Sequence, residues 1–270
     1  AEGGAVRFIT PQPSFTDMSV YGRAEVSTTE KGAPSYEIGI AAGGPVTDTL
    51  AVRFSAWHRK DGGWIDLIAP PTSLTTPKVV TRKDYNDEET SAAKVAVSWR
   101  PVPELTITPS VYYQTIDTGG RSQYWEQFSS NHDFVTGRTN DDGTQDRFVL
   151  PSLKAQYDAP DALSVIANVS YFDRKQHQVL DYANYLSTLR SGSPFGTYAN
   201  KLATNAFADL TNRQKNLTAE FRVQSYSDES LIDWTVGAYY SRTKQHLDYY
   251  SASGRIPGVT ITRNANGPGG

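Results

Sequence analysis

Apolar residues alternate with polar or small ones in run after run along this chain, the period-two pattern of strands that present one apolar face. Leu50, Val52, Phe54 and Ala56 are interleaved with Ala51, Arg53 and Ser55. The pattern returns at Ala93, Val95, Val97 and Trp99, and again at Leu105, Ile107, Val111 and Tyr113. Three later runs follow: Leu163 to Tyr171, Leu217 to Val223, and Trp234 to Tyr240. Helical spacing is hard to find. Several runs extend to about ten residues, where strands of soluble domains have about five or six and a tilted membrane-crossing strand needs about nine to eleven.

The connectors sort by length. Gly43 to Thr49, Arg100 to Glu104, Asp158 to Ala162 and Ser227 to Leu231 are short and rich in Gly, Pro, Asp or Ser, the residues of tight turns. Ile68 to Thr90, Thr118 to Asp146 and Asn184 to Asn212 are long, while Thr28 to Ser35 is an intermediate loop on the same edge. Short turns on one edge and long loops on the other are the arrangement of outer-membrane barrels. The predicted fold class is all-β, an antiparallel transmembrane β-barrel segment of about nine strands. Trp57, Trp99, Tyr112, Tyr113, Tyr171, Phe172, Trp234, Tyr239 and Tyr240 fall near the run ends, where an interfacial aromatic girdle is expected. The polar set Arg53, Lys94, Arg100, Glu220 and Arg222 is expected on the opposite, inward face, a choice that a one-residue slip would reverse.

Composition changes this picture little. An apolar fraction of 38 % and a mean hydropathy of -0.51 suit a soluble protein, but a barrel needs apolar side chains at alternate positions only. No apolar stretch is long enough for a transmembrane helix. With 26 basic against 29 acidic residues and no basic block, nucleic acid is not an expected partner. The chain has no cysteine, which excludes disulfides and thiolate metal sites.

Motifs for catalysis are thin. No nucleophile elbow, Walker loop or dinucleotide fingerprint occurs, so an enzyme is not expected, and no cofactor or metal is assigned. His58, His132, His177 and His246 lack metal-ligand spacing. The acidic stretches Asp141 to Asp146 and Asp84 to Glu89 read as solvated loops, the former lacking the closing Glu of a calcium loop. Aromatics in or beside the long segments, namely Trp64, Tyr124, Trp125, Tyr185, Tyr198, Tyr249 and Tyr250, are candidates for a ligand-stacking surface. Arg121 and Arg138 could attract an anionic ligand.

Gly3-Gly4-Ala5-Val6-Arg7-Phe8-Ile9-Thr10-Pro11-Gln12-Pro13 resembles the end of the plug in TonB-dependent outer-membrane receptors. Tyr21 to Ser27 with Gly39 to Val46 resembles the first barrel hairpin of that family, and Arg53 to Trp57 with Asp61 to Ile65 its third strand. The resemblance implies residues 1–13 as the end of a plug domain and 14–270 as the first part of a barrel of about 22 strands. Gly3, Gly4, Thr10, Pro11 and Pro13 would form the plug–barrel junction. It further implies a bacterial outer-membrane location, contact with outer-membrane lipid, and uptake of a small-molecule or metal-chelate ligand such as an iron-siderophore complex. Energy would come from the TonB-ExbB-ExbD complex acting through an N-terminal region absent here. Against the family pattern, most of the plug, a TonB box and a terminal aromatic are missing, so the chain is expected to be a fragment. A soluble all-β carbohydrate-binding module is the alternative architecture, with shorter strands, and a secreted β-rich hydrolase would need a converging acid pair.

Overall fold

The computed structural model describes residues 10–71, 73–130, 132–160, 163–183, 185, 206–225 and 232–252. Nine long strands form one sheet in chain order, each antiparallel to its neighbours: β1 (Ser19–Thr28), β2 (Pro34–Thr47), β3 (Leu50–Asp61), β6 (Glu88–Val102), β7 (Leu105–Thr118), β9 (Thr144–Ala159), β10 (Leu163–Asp181), β11 (Phe207–Ser225) and β12 (Thr235–Ala252). Three short strands, β4 (Ile65–Ile68), β5 (Val80–Arg82) and β8 (Phe134–Thr136), make a second sheet inside the long loops, ordered β5-β4-β8. The simple up-and-down order follows from the tight turns: Asp48 and Thr49 alone separate β2 from β3, and Pro103 and Glu104 alone separate β6 from β7.

Cross-strand register shows that the alternation is shared by the whole sheet. Ile40 pairs with Ala56, Ala56 with Ala93, Ala93 with Tyr113, and Tyr113 with Val149. Lower in the sheet, Val165 pairs with Val223 and Val223 with Val236. These residues share one face, and large apolar side chains on it lie open: Val20, Ile38, Phe54, Val95, Leu153 and Phe221 are all more than one-third exposed. The apolar part of this face runs from Val149 to Tyr157 in β9 and from Leu163 to Tyr171 in β10, the about nine residues that a tilted spanning strand requires. Its upper boundary slants across the sheet, from Val26 in β1 through Tyr113 in β7 to Tyr240 in β12, as strands tilted to a barrel axis require.

Arg53, Lys94, Arg100, Glu220 and Arg222 all lie on the other face, by the same register. The segment before β1 crosses that face. Lys94 Nζ donates to Thr10 Oγ1, Arg53 donates to Ser19 Oγ at 3.0 Å, and the Arg100 guanidinium stands 4.0 Å from the centre of the Phe15 ring. Pro13 is buried in this passage.

Two expectations need correction. Among the girdle aromatics, Trp99, Tyr113, Tyr171 and Tyr240 do face outward, but Trp57, Tyr112, Phe172 and Tyr239 belong to the inward face. Tyr112, Phe148 and Phe172 stack there on neighbouring strands, with ring centres 5.5 and 5.1 Å apart. Adjacent residues in a strand point to opposite sides, so nearness to a run end does not decide the face. The second correction concerns strand length. β11 begins at Phe207, inside the stretch expected as a loop to Asn212, and β10 and β11 have 19 residues each. Above the apolar band the outward side chains become polar and the alternation disappears, but backbone ladder bonds do not depend on side-chain polarity.

Candidate functional site

The long loops do not hang free among the described residues; they fold into a cap on the long-loop edge of the sheet. Ile68, Phe128 and Val135 form a small apolar core with Trp125 packed on it. β4 runs parallel to β8, Ile65 pairing with Phe134, which joins the β3–β6 loop to the β7–β9 loop. A single 3-10 turn at Glu126–Phe128 follows Trp125, and Lys78 donates to the Phe128 carbonyl at 2.7 Å.

Polar side chains complete the cap by accepting backbone hydrogens that no strand could satisfy. Asn86 Oδ1 accepts from the amides of Trp64 and Ile65, each at 2.9 Å. Asp181 at the top of β10 accepts from the amides of Thr139 at 2.6 Å and Ala183 at 2.8 Å. Tyr85, fully buried, donates its hydroxyl to Asp142 Oδ1 at 2.5 Å and accepts from the Asp142 amide at 3.0 Å. Gly120 lies flat against the Tyr85 ring, where a Cβ atom would fall well inside van der Waals contact.

Electrostatics here follow from burial. The Tyr85 phenol is pushed well above its usual 10.0, chiefly by desolvation and then by its bond to Asp142. Asp84 is raised from the usual carboxylate range by burial first and by neighbouring Asp66 second. Asp142 is buried, and its second oxygen makes no hydrogen bond. Its compensation is ionic: Arg138 Nε stands 3.4 Å away and Arg121 Nε 3.9 Å. The acidic stretch 141–146 is thus not a solvated loop as expected, since Asp142 is buried and Asp146 is paired with Arg174. Nor is the stretch 84–89, where Asp87 is paired with Lys60 at 2.7 Å and with Arg82 at 3.0 Å.

The sequence candidates therefore separate. Trp64 and Tyr124 meet on Phe134, edge-on at 5.0 Å and tilted at 4.6 Å, with Tyr124 45 % exposed. Tyr185 is exposed beside Tyr182, ring centres 6.2 Å apart. Trp125 is part of the cap's apolar core. Arg121 and Arg138 face Asp142, and Arg138 also donates to Gln123 Oε1 at 2.8 Å. Tyr249 and Tyr250 lie within β12, and Tyr250 packs on Phe207. Of the junction residues, Thr10, Pro11 and Pro13 are seen on the inward face, while Gly3, Gly4 and also Tyr198 lie outside the described residues. Sequence reading missed Tyr85, Asn86, Asp142 and Asp181 as organisers of the cap. Isolated polar residues in long loops carry no periodic signal, and their partners lie up to 57 residues away.

This architecture is a β-barrel wall: apolar outside, polar inside, crossed inside by the chain that enters it, and capped by folded loops on one edge. Comparison with solved structures places it more narrowly. The ferric yersiniabactin uptake receptor FyuA from Yersinia pestis matches 90 % of this chain at a TM-score of 0.65 and 13 % identity. The siderophore receptor PiuA from Acinetobacter baumannii matches 91 % at a TM-score of 0.63 and 12 % identity. The chain spans about a third of each receptor, 33 % and 34 % respectively. The fold expected from the resemblance to TonB-dependent receptors is thereby borne out, and both neighbours are receptors rather than enzymes. No family model matches the chain, and no curated protein matches it.

Proposed function

We propose that the chain is part of an energy-coupled uptake receptor of the bacterial outer membrane, which binds a scarce ligand from outside and passes it to the periplasm. One observation carries this reading: a sheet whose outward face is a continuous apolar band and whose long-loop edge bears a folded cap, in the fold of two siderophore receptors. In water, so much exposed apolar surface would be an association hazard; against lipid it is the required surface. Residues 1–13 would end a plug and 14–270 begin the barrel. The contacts of Thr10 and Phe15 with Lys94 and Arg100 support that assignment. Coupling would run through TonB-ExbB-ExbD.

Trp64, Tyr124 and Tyr185 are the residues we assign to ligand contact, because Tyr124 and Tyr185 are exposed and Trp64 is half-buried beside Tyr124. Trp125, Arg121 and Arg138 support that surface from beneath. An iron-siderophore complex is the ligand class that the structural neighbours favour. The test uses the full-length gene product reconstituted in proteoliposomes. Replacing Trp64 and Tyr124 by alanine should weaken ferric-siderophore binding on the order of tenfold or somewhat more, given about 0.5–1.5 kcal/mol per lost aromatic contact. Unchanged binding would remove these residues from the site. Recovery in a soluble fraction, with no heat-dependent mobility shift in mild detergent, would overturn the receptor reading itself.

A further inference from the structure

The outward face changes character along the barrel wall. On β9 to β12 the first positions above the apolar band carry a concentration of positive charge. Arg147 stands above Val149, Lys175 stands above Asp173, which itself stands above Tyr171, Lys215 and Arg213 stand above Leu217, and Arg242 and Lys244 stand above Tyr240. The register places three of these side by side. Arg147 is directly opposite Lys175, and Lys175 is directly opposite Arg213.

Neighbouring strands are about 4.8 Å apart, and like charges directly opposite one another destabilise a sheet. A strand pair normally answers such repulsion with an acid on the same face. Here the acids are engaged elsewhere: Asp173 pairs with Lys215 at 3.6 Å, Asp209 with His177 at 2.9 Å and Asp248 with His246 at 3.0 Å. Arg147, Lys175 and Arg213 have no ion pair or side-chain hydrogen bond among the described residues, and all three are exposed. Arg147 and Lys175 border a cavity of about 510 Å³ that opens on the outward face, and Arg213 stands directly opposite Lys175, just outside that lining. Of the two acids at its border, Asp146 is held by Arg174, and Asp117 stands one pair further toward the loops.

A second cavity adjoins the first. It measures about 850 Å³ and is floored by the small side chains Gly22, Ala24, Ala56 and Ala93, with Ile38 and Ile40 beside them. Tyr113 borders both cavities. An unpaired cationic row next to an apolar groove, at the upper limit of a membrane-facing band, fits an amphipathic anion better than a free one.

We propose that this outward surface is a specific binding site for a phosphate-bearing membrane lipid, whose headgroup is held by Arg147, Lys175 and Arg213 and whose acyl chain lies in the groove floored by Gly22, Ala24, Ala56 and Ala93. The inference rests on the reading of the apolar band as lipid-facing. Its physical warrant is that basic residues attract an anionic lipid headgroup electrostatically, while a bound phosphate removes the repulsion among the three cations.

The test uses the full-length gene product in a neutral detergent, incubated with equal amounts of labelled phosphatidylglycerol and phosphatidylcholine, with retained lipid measured by native mass spectrometry. The native protein should retain the anionic lipid in excess by on the order of tenfold, and the excess should fall as salt is raised. The triple substitution Arg147→Gln, Lys175→Gln and Arg213→Gln should abolish the preference, while Arg147→Lys, Lys175→Arg and Arg213→Lys should keep it. A heat-modifiability gel reports that each variant still forms a barrel. Equal retention of both lipids by the native protein, at any salt, overturns the proposal, as does a preference that survives the neutralising triple. Full displacement by inorganic phosphate at the lipid's own concentration would mark a free-anion site and overturn the lipid assignment. Failure of the underlying membrane reading looks different: a protein that needs no detergent and retains neither lipid.

Discussion

At the scale of single residues, the cap depends on Tyr85 and Asp142. A buried carboxylate is tolerated only with partners, and Asp142 has one hydroxyl bond and two guanidinium groups nearby that are not hydrogen-bonded to it. Tyr85→Phe should therefore destabilise the cap by about 1–3 kcal/mol, the cost of leaving a buried acceptor short of its donor. Faster hydrogen exchange in 119–143, with the long strands unaffected, is the expected readout. The pH dependence has a definite sign. Because the folded protein raises the Tyr85 phenol above 10.0, its contribution is fully present below pH 10.0 and is lost as pH rises through the higher folded value. Native protein should lose cap protection in that alkaline range, and the Phe variant should show no corresponding loss from this site. Little of this was legible in the sequence: Tyr85 reads as one of 16 tyrosines, and Asp142 as one of several loop acids. Their pairing depends on two loops being brought together by strands on either side.

At the scale of the strand, face determines tolerance. Phe54 lies in the outward band and pairs with Ala42 and Val95, whereas Ser55 points inward and pairs with Ala41 and Lys94. Phe54→Arg should cost about 2–4 kcal/mol, as a charge placed on a lipid-facing barrel position does. Ser55→Arg, one residue away, should cost far less because its guanidinium reaches the polar interior. Chemical unfolding of the refolded full-length protein in lipid vesicles checks the pair, and equal costs would mean that the faces have been exchanged. Strand identity and facing were readable for β3, β6, β7, β10 and β11, where the alternation is unbroken. The upper parts of β10 and β11 were not, because Arg174 to Asp181 and Ala208 to Asn216 are mostly polar. There the hydrogen-bonded neighbour strand extends the ladder without a hydrophobic pattern to announce it.

At the scale of the whole molecule, the cap and the wall are linked through Asp181, which receives backbone hydrogens from Thr139 and Asn140 in the β7–β9 loop while belonging to β10. Asp181→Ala should loosen the cap from the wall, exposing 139–140 to faster exchange and to limited proteolysis, while the heat-dependent mobility shift of the barrel persists. Loss of that shift as well would make Asp181 a determinant of the barrel itself. The sequence alone determined the class of architecture, the chain order of the long strands, the edge that bears the loops, and the inward set led by Arg53, Lys94 and Arg100. It could do so because period-two alternation and turn chemistry are local properties, repeated on strand after strand. Packing between distant segments settled which aromatics lie on the outward face, how the long loops fold into a cap, which loop acids are buried, and that Arg147, Lys175 and Arg213 stand side by side. Those outcomes depend on register between strands whose cationic residues are 28 and 38 positions apart in the chain, a relation that hydrogen bonding across the sheet sets and that no single strand records.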